Sequence, residues 1–183
     1  MACSLVVVVW LSALLQVRAL GILIPAYFDP GSGNTNWDTL ARASERVPLT
    51  AIMNPNNGPG TSPKAAYTQA IAKLHTSGGR VIGYVYSSYT KRPIDQVKAD
   101  VDRYDSYYNI DGFFVDEMTN DNIAAHLTYY DDLYRYIKNK RSSYWIVPRS
   151  IAKLLRFRTN QVKHRKGLQI NDLQADQAGA VWL

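Results

Sequence analysis

Four apolar runs rich in β-branched and aromatic residues begin near Gly21, Leu49, Arg80 and Ile110, at intervals of 28, 31 and 30 residues. A strand, a helix and their two loops occupy about 30 residues, so this spacing predicts a repeated strand–helix unit. The runs read Gly21-Ile-Leu-Ile-Pro-Ala-Tyr-Phe28, Leu49-Thr-Ala-Ile-Met-Asn-Pro55, Arg80-Val-Ile-Gly-Tyr-Val-Tyr-Ser-Ser-Tyr89 and Ile110-Asp-Gly-Phe-Phe-Val-Asp-Glu-Met118. They are continuously apolar rather than alternating, the mark of parallel strands covered on both faces.

Helix signals fill the intervals. Ser62 followed by Pro63 reads as an N-cap with proline at the first helical position, and Gly78-Gly79 closes that helix behind a stripe of Tyr67, Ile71 and Leu74. Pro93 opens another, with Ile94, Val97, Val101 and Tyr104 on one face. A third is expected from Asn120 to Lys140, through Ile123, Leu127, Tyr130, Leu133 or Tyr134, and Ile137. The expectation is an α/β fold of TIM (β/α)8 type of which four βα units are present, with Ser143-Tyr-Trp-Ile-Val147 as a fifth strand.

The two ends differ from this middle. Leu5 to Leu15 is an apolar stretch of 11 residues, too short for the roughly 20 that span a bilayer. With Val17-Arg18-Ala19 behind it, residues 1–19 read as a secretory signal peptide, and the alternative is a buried first element of the domain. A cut after Ala19 removes Cys3, the single cysteine, and with it any disulfide, thiolate nucleophile or cysteine-bound metal. A secreted, extracellular protein is expected.

Net charge divides at the same kind of boundary. Residues 1–140 hold 13 basic and 13 acidic residues, whereas residues 141–183 hold 8 and 2, which accounts for the whole net charge of +6. A basic tail such as Lys163-His-Arg-Lys166 suits phosphate backbones, but a nucleic-acid partner does not fit a chain that opens with a signal peptide. All 13 tyrosines lie at or before Tyr144, and no glutamate follows Glu117. Residues 20–140 are therefore read as the N-terminal half of a barrel and residues 141–183 as an atypical tail. A frame slip or retained intron near codon 140 would produce that break. The tail is also too short for four more units of ~30 residues.

The fourth run ends in two adjacent carboxylates, Asp116 and Glu117. Barrels of this type keep their active sites at the carboxyl ends of the strands, and glycosidic cleavage uses a carboxylic acid and a second carboxylate there. Glu117 is the candidate general acid, held protonated by a partly desolvated rim position, and Asp116 its electrostatic or base partner. Successive strand residues face opposite sides, so both serve one site only if the chain bends after Val115. The competing reading makes Asp116 a helix cap with Glu117 in the first turn.

Tyr27, Asn54, Tyr84 and Tyr86 lie late in the first three strands, where a flat ring and a polar edge suit a sugar. Alternation puts Tyr84 and Tyr86 on one face, and core tyrosines with satisfied hydroxyls are the alternative. Asp29 is a further candidate carboxylate, or a turn residue before Pro30-Gly31. Asn56-Asn57-Gly58-Pro59-Gly60 lacks the Gly-Lys-Ser/Thr of a phosphate loop and reads as a rigid turn. His75, His126 and His164 have no metal-ligand spacing, and Ser87 and Ser88 have no nucleophile elbow, so neither a metal, a cofactor nor a serine triad is expected. Asp100, Asp102, Asp131 and Asp132 are read as solvated helix faces.

Together, Gly21-Ile-Leu-Ile-Pro-Ala-Tyr-Phe28, Ala51-Ile-Met-Asn-Pro-Asn-Asn-Gly-Pro-Gly60, Val81-Ile-Gly-Tyr-Val-Tyr86 and Ile110-Asp-Gly-Phe-Phe-Val-Asp-Glu-Met118 resemble the spherulation-specific family 4 proteins over about residues 20–140. The resemblance implies a secreted TIM barrel related to glycoside hydrolase family 135, endo-acting on α-1,4-linked galactosaminogalactan, a cationic polysaccharide. It implies an active site at Asp116 and Glu117 with a further Glu on a later strand. This chain departs there: Val147-Pro148-Arg149-Ser150 stands where the family has Asn-Pro-Gly, and the later Glu is absent. The alternative is a non-catalytic extracellular protein that binds polysaccharide or builds a spore or cyst coat.

Overall fold

In the computed structural model, residues 21–31, 36–148 and 180–181 are described. The signal-peptide and Cys3 expectations, the basic patch at 163–166 and Arg149-Ser150 lie outside them. The order is β1 (Gly21–Ala26), α1 (Asn36–Ser44), β2 (Leu49–Met53), α2 (Ala65–Thr76), β3 (Arg80–Tyr86), α3 (Ile94–Tyr107), β4 (Gly112–Asp116), α4 (Ala124–Lys140), β5 (Trp145–Pro148) and the two-residue β6 (Ala180–Val181). Strands β1 to β5 pair in parallel, each with the next in sequence, and curl into half of a barrel. β6 pairs with the outer edge of β1 through Gly21 and Ile22.

The strands sort their side chains by alternation into two layers. Ala51, Met53, Val81, Val85, Phe113 and Val115 face the helices, where Trp37, Tyr67, Leu74, Val97, Tyr104, Leu133 and Ile137 cover them. Leu23, Ile52, Ile82, Tyr84 and Phe114 form the second cluster on the opposite, concave face, with Tyr86 and Val147 packed against it. Register makes that face continuous: Tyr84 stands beside Phe114, and Tyr86 beside Asp116. Close approach depends on missing side chains. A Cβ on Gly83 would meet the Tyr104 ring at 2.9 Å, so the ring lies flat on β3 only because that position is glycine.

Two helix starts differ from expectation. α2 begins at Ala65 rather than Pro63, because Lys64 is extended and its N–H donates to the Tyr108 hydroxyl at 3.1 Å, while its carbonyl accepts the first helical N–H groups. α4 begins at Ala124 rather than Asn120, since Asp121 turns the chain by accepting from the Ile123 N–H and from His126. Ile123 is consequently exposed, and the buried stripe is Tyr130, Leu133 and Ile137.

The solvated-face reading fails for Asp100. It is buried and clamped between Arg92 at 2.6 Å and Arg103 at 2.5 Å. Position 100 is three residues from Val97 and four from Tyr104, so it shares their inward face. Asp102, Asp131 and Asp132 instead pair at the surface with Lys140, Arg135 and Lys98.

A second ion pair ties the opposite end of the sheet. Asp111, just before β4, accepts from His75 at the end of α2 and from the Val81 N–H, both at 2.8 Å. The hydrogen bond to Asp111 raises the His75 pKa above its ordinary value, against an opposing effect of burial. Burial pushes Asp111 up, but its bonds to His75 and Val81 outweigh that and leave it lowered. The raised His75 pKa gives stability that is full below about pH 6.5 and is lost as pH rises through the folded-state value. The lowered Asp111 pKa gives stability lost as pH falls below the ordinary carboxylate range. Replacing His75 by Ala is expected to cost about 0.5–1 kcal/mol at pH 5.5, after allowance for partial exposure, and less at pH 9. Urea unfolding at the two pH values measures the difference; an equal cost at both would refute the charged pair.

Candidate functional site

β4 delivers Asp116 to the carboxyl-end rim with only 8% of its surface exposed. Its Oδ2 accepts from the Tyr84 hydroxyl at 3.1 Å, and its Oδ1 accepts from the Glu117 N–H at 2.7 Å. The Asp is thus neither solvated nor a cap on α4, which starts eight residues later at Ala124. Immediately after it the chain turns: Glu117 has φ +50°, a left-handed conformation that costs an L-residue roughly 1–2 kcal/mol.

That turn is held from behind. The buried Ser87 hydroxyl donates to the Glu117 carbonyl at 2.7 Å and lies 2.9 Å from the Tyr130 hydroxyl. The Tyr130 oxygen accepts from the Thr119 N–H at 3.0 Å. All these bonds are satisfied if Tyr130 donates to Ser87 and Ser87 donates to Glu117. Ser87 N–H also reaches the Asp116 carbonyl at 3.1 Å, and Tyr89 N–H the Glu117 carbonyl at 2.7 Å. Glu117 lies near enough to Tyr84 for its charge to act on the phenol. Burial chiefly raises the Tyr84 pKa, and the charges of Asp116 and Glu117 add to the effect. A phenol held neutral in this way remains a donor to Asp116. Among the described residues, the Glu117 carboxylate itself makes no hydrogen bond or ion pair.

Tyr27, Tyr84 and Tyr86 are brought together. Tyr84 lies deep on the concave face, Tyr27 meets it edge-on at 5.6 Å, and Tyr86 stacks on it nearer the rim at 6.5 Å. The Arg92 guanidinium covers Tyr86 at 4.3 Å while bonded to Asp100, so the buried ion pair fixes the outer ring. Tyr84→Phe is expected to cost about 2 kcal/mol in urea unfolding, because a buried carboxylate loses a donor; a cost below 0.5 kcal/mol would rule out that bond as a structural contributor.

Two candidates are engaged by their own loops. Asn54 Oδ1 accepts from the Gly58 N–H at 2.8 Å and clamps its own loop, where Asn57 and Gly58 have φ of 47° and 143°. Asp29 turns onto the Gly31 N–H at 2.8 Å and pairs with Lys64 before α2 at 3.2 Å. Ser87, Tyr130 and Asp100 escaped the sequence reading as contributors to the site. Ser87 could have been noticed two residues after Val85, on the helix-facing side of β3, but its partner lies 43 residues away. Among the described residues no three His, Cys, Asp or Glu side chains gather as a metal site, and no helix is long and apolar enough to cross a membrane.

A curled parallel half-barrel with a carboxylate pair and clustered tyrosines at its carboxyl-end rim defines a glycoside-hydrolase-like α/β protein. The chain belongs to spherulation-specific family 4, whose model matches residues 21–172. It is 39% identical over 122 residues to Spherulin-4 of Physarum polycephalum, covering 65% of this chain and 35% of that protein. Its structure resembles Aspergillus clavatus Sph3, solved in complex with GalNAc, with a TM-score of 0.61 and 25% identity, over 71% of this chain and 57% of Sph3. The C-terminal domain of a Desulfitobacterium hafniense protein shares the fold at a TM-score of 0.50 and 13% identity, over 71% of this chain and 45% of that one. The chain thus spans about a third of its curated relative and little over half of Sph3.

Proposed function

We propose that this chain belongs to a secreted glycoside hydrolase acting on galactosamine-containing polysaccharide, of the endo-α-1,4-galactosaminidase type. The observation that carries the reading is the left-handed Glu117 directly after Asp116, its charge acting on the Tyr84 phenol and its carboxylate in no hydrogen bond or ion pair among the described residues. Asp116, already receiving two hydrogen bonds, is a carboxyl group held in one position, suited to stabilising a developing oxocarbenium ion. Glu117, more accessible, is suited to protonating the leaving oxygen. The GalNAc in the Sph3 complex supports the sugar class. Tyr27, Tyr84 and Tyr86 supply ring faces for it, and Asn54 and Asp29 lie on the neighbouring loops.

The second reading is a non-catalytic polysaccharide-binding or coat protein of the extracellular space, which would use the same clustered tyrosine rings without bond cleavage. Incubation of the protein with α-1,4-galactosamine polymer separates the two. New reducing ends support hydrolysis, retention of intact polymer supports binding, and the absence of both overturns the carbohydrate role.

A further inference from the structure

The geometry points to Tyr89 as an aromatic platform for a second sugar ring, beside the centre formed by Tyr84, Asp116 and Glu117; the inference rests on the carbohydrate reading above. Ser88, Tyr89 and Thr90 have φ of 48°, 55° and 68°. Three consecutive non-glycine residues in the left-handed region are costly, and they persist only where surrounding bonds over-determine them. Those bonds are present. Tyr89 N–H donates to the Glu117 carbonyl at 2.7 Å, Lys91 N–H to Ser88 at 2.9 Å and Arg92 N–H to Ser87 at 3.2 Å. The strained turn is therefore fastened to the strained turn that carries the acid.

The ring at its centre is largely open to solvent. Tyr89 is 54% exposed, and among the described residues its side chain makes no hydrogen bond or ring contact. Asn, Asp or Gly would hold the same backbone at lower cost without leaving an apolar ring in water. Tyr27, 48% exposed, is the other exposed tyrosine and touches Tyr84. Tyr27 meets the centre through its ring contact with Tyr84, and the Tyr89 backbone meets it through the Glu117 carbonyl. A single sugar fills the centre alone, whereas a chain of sugars extends onto the ring of Tyr89, whose flat apolar face suits the C–H face of a pyranose.

The test is calorimetric binding of GalNAc and of an α-1,4-linked GalNAc tetramer to the full chain, with Glu117→Gln present throughout to prevent turnover. Tyr89→Asn removes the ring with a residue that tolerates φ above zero; Tyr89→Trp restores an aromatic face. Tyr89→Asn is expected to weaken the tetramer roughly tenfold and leave GalNAc unchanged, with Tyr89→Trp returning the tetramer to within about threefold. Equal tetramer affinity in Tyr89→Asn overturns the platform and leaves the proposed function standing. Equal weakening of both ligands also overturns it, because that result marks a distorted centre. Absence of binding with Tyr89 intact overturns the proposed function and the platform together.

Discussion

Glu117→Gln is expected to abolish release of reducing ends from galactosamine polymer, by roughly 10²- to 10⁴-fold, while expression and the folded state are retained. The substitution keeps the size and shape of the side chain and removes only its capacity to give a proton. Everything that holds the turn acts on the Glu117 backbone: the Ser87 hydroxyl and the Tyr89 N–H both bond its carbonyl, and its own N–H bonds Asp116. A glutamine at φ +50° therefore sits where the glutamate does. Glu117→Gly separates function from strain by another route. Glycine relieves the left-handed penalty, so stability is expected to rise by about 0.5–1 kcal/mol while hydrolysis is lost. Undiminished hydrolysis in Glu117→Gln would remove the residue from catalysis. A fall in stability for Glu117→Gly would show that the side chain, not the bonded backbone, sustains the turn.

Gly112→Ala is expected to be the most damaging single methyl addition in the sheet, costing about 3–4 kcal/mol and detaching β5 from β4. A Cβ at this position would lie 2.1 Å from the Trp145 carbonyl oxygen and 2.6 Å from its nitrogen. Both are backbone atoms, so no rotamer change relieves the contact. Trp145 is the first residue of β5, its N–H donates to the Asp111 carbonyl at 2.9 Å, and it pairs directly with Gly112. Its indole also lies 4.6 Å from the Arg80 guanidinium. Loss of the pairing would free the indole, so tryptophan fluorescence and urea unfolding read the same event. A cost under 1 kcal/mol would mean that β5 slides aside freely and contributes little to the sheet.

The Asp111–His75 pair shows how far one residue reaches in this fold. Asp111 joins α2 through His75, β3 through both polar groups of Val81, and β5 through Trp145. It stands at the amino ends of the strands, whereas Asp116, five residues on, stands at the carboxyl ends. One short strand thus carries a structural carboxylate at one end and the candidate chemical one at the other. That division agrees with the general separation of stability and activity between the two faces of such barrels.

The strands and their order were legible in the sequence because a parallel strand buried on both sides must be continuously apolar, and because each crossover needs a helix of about the same length. Gly21–Ala26, Leu49–Met53, Arg80–Tyr86 and Gly112–Asp116 fall within the apolar runs, and Trp145–Pro148 overlaps the expected fifth strand. The alternation that puts Tyr84 and Tyr86 on one face is equally local. Helix starts were less legible, because Lys64 and Asp121 are fixed by a tyrosine 44 residues away and by a histidine 5 residues on, not by a capping pattern.

What the tertiary structure alone decided is the sharp turn between the two adjacent carboxylates. Strand alternation would send Asp116 and Glu117 to opposite faces; the left-handed φ of Glu117 overrides that strand conformation. The energy for that override comes from Ser87 and Tyr130, distant in sequence and buried behind the turn. Asp100 belongs to the same kind: a helix aspartate reads as solvated until Arg92, folded back over Tyr86, supplies its counter-charge. Local sequence sets which residues are apolar and how often they recur, and so it determined the half-barrel. Strain and buried polar pairing depend on partners brought near only by folding, and so the geometry of the site was decided there.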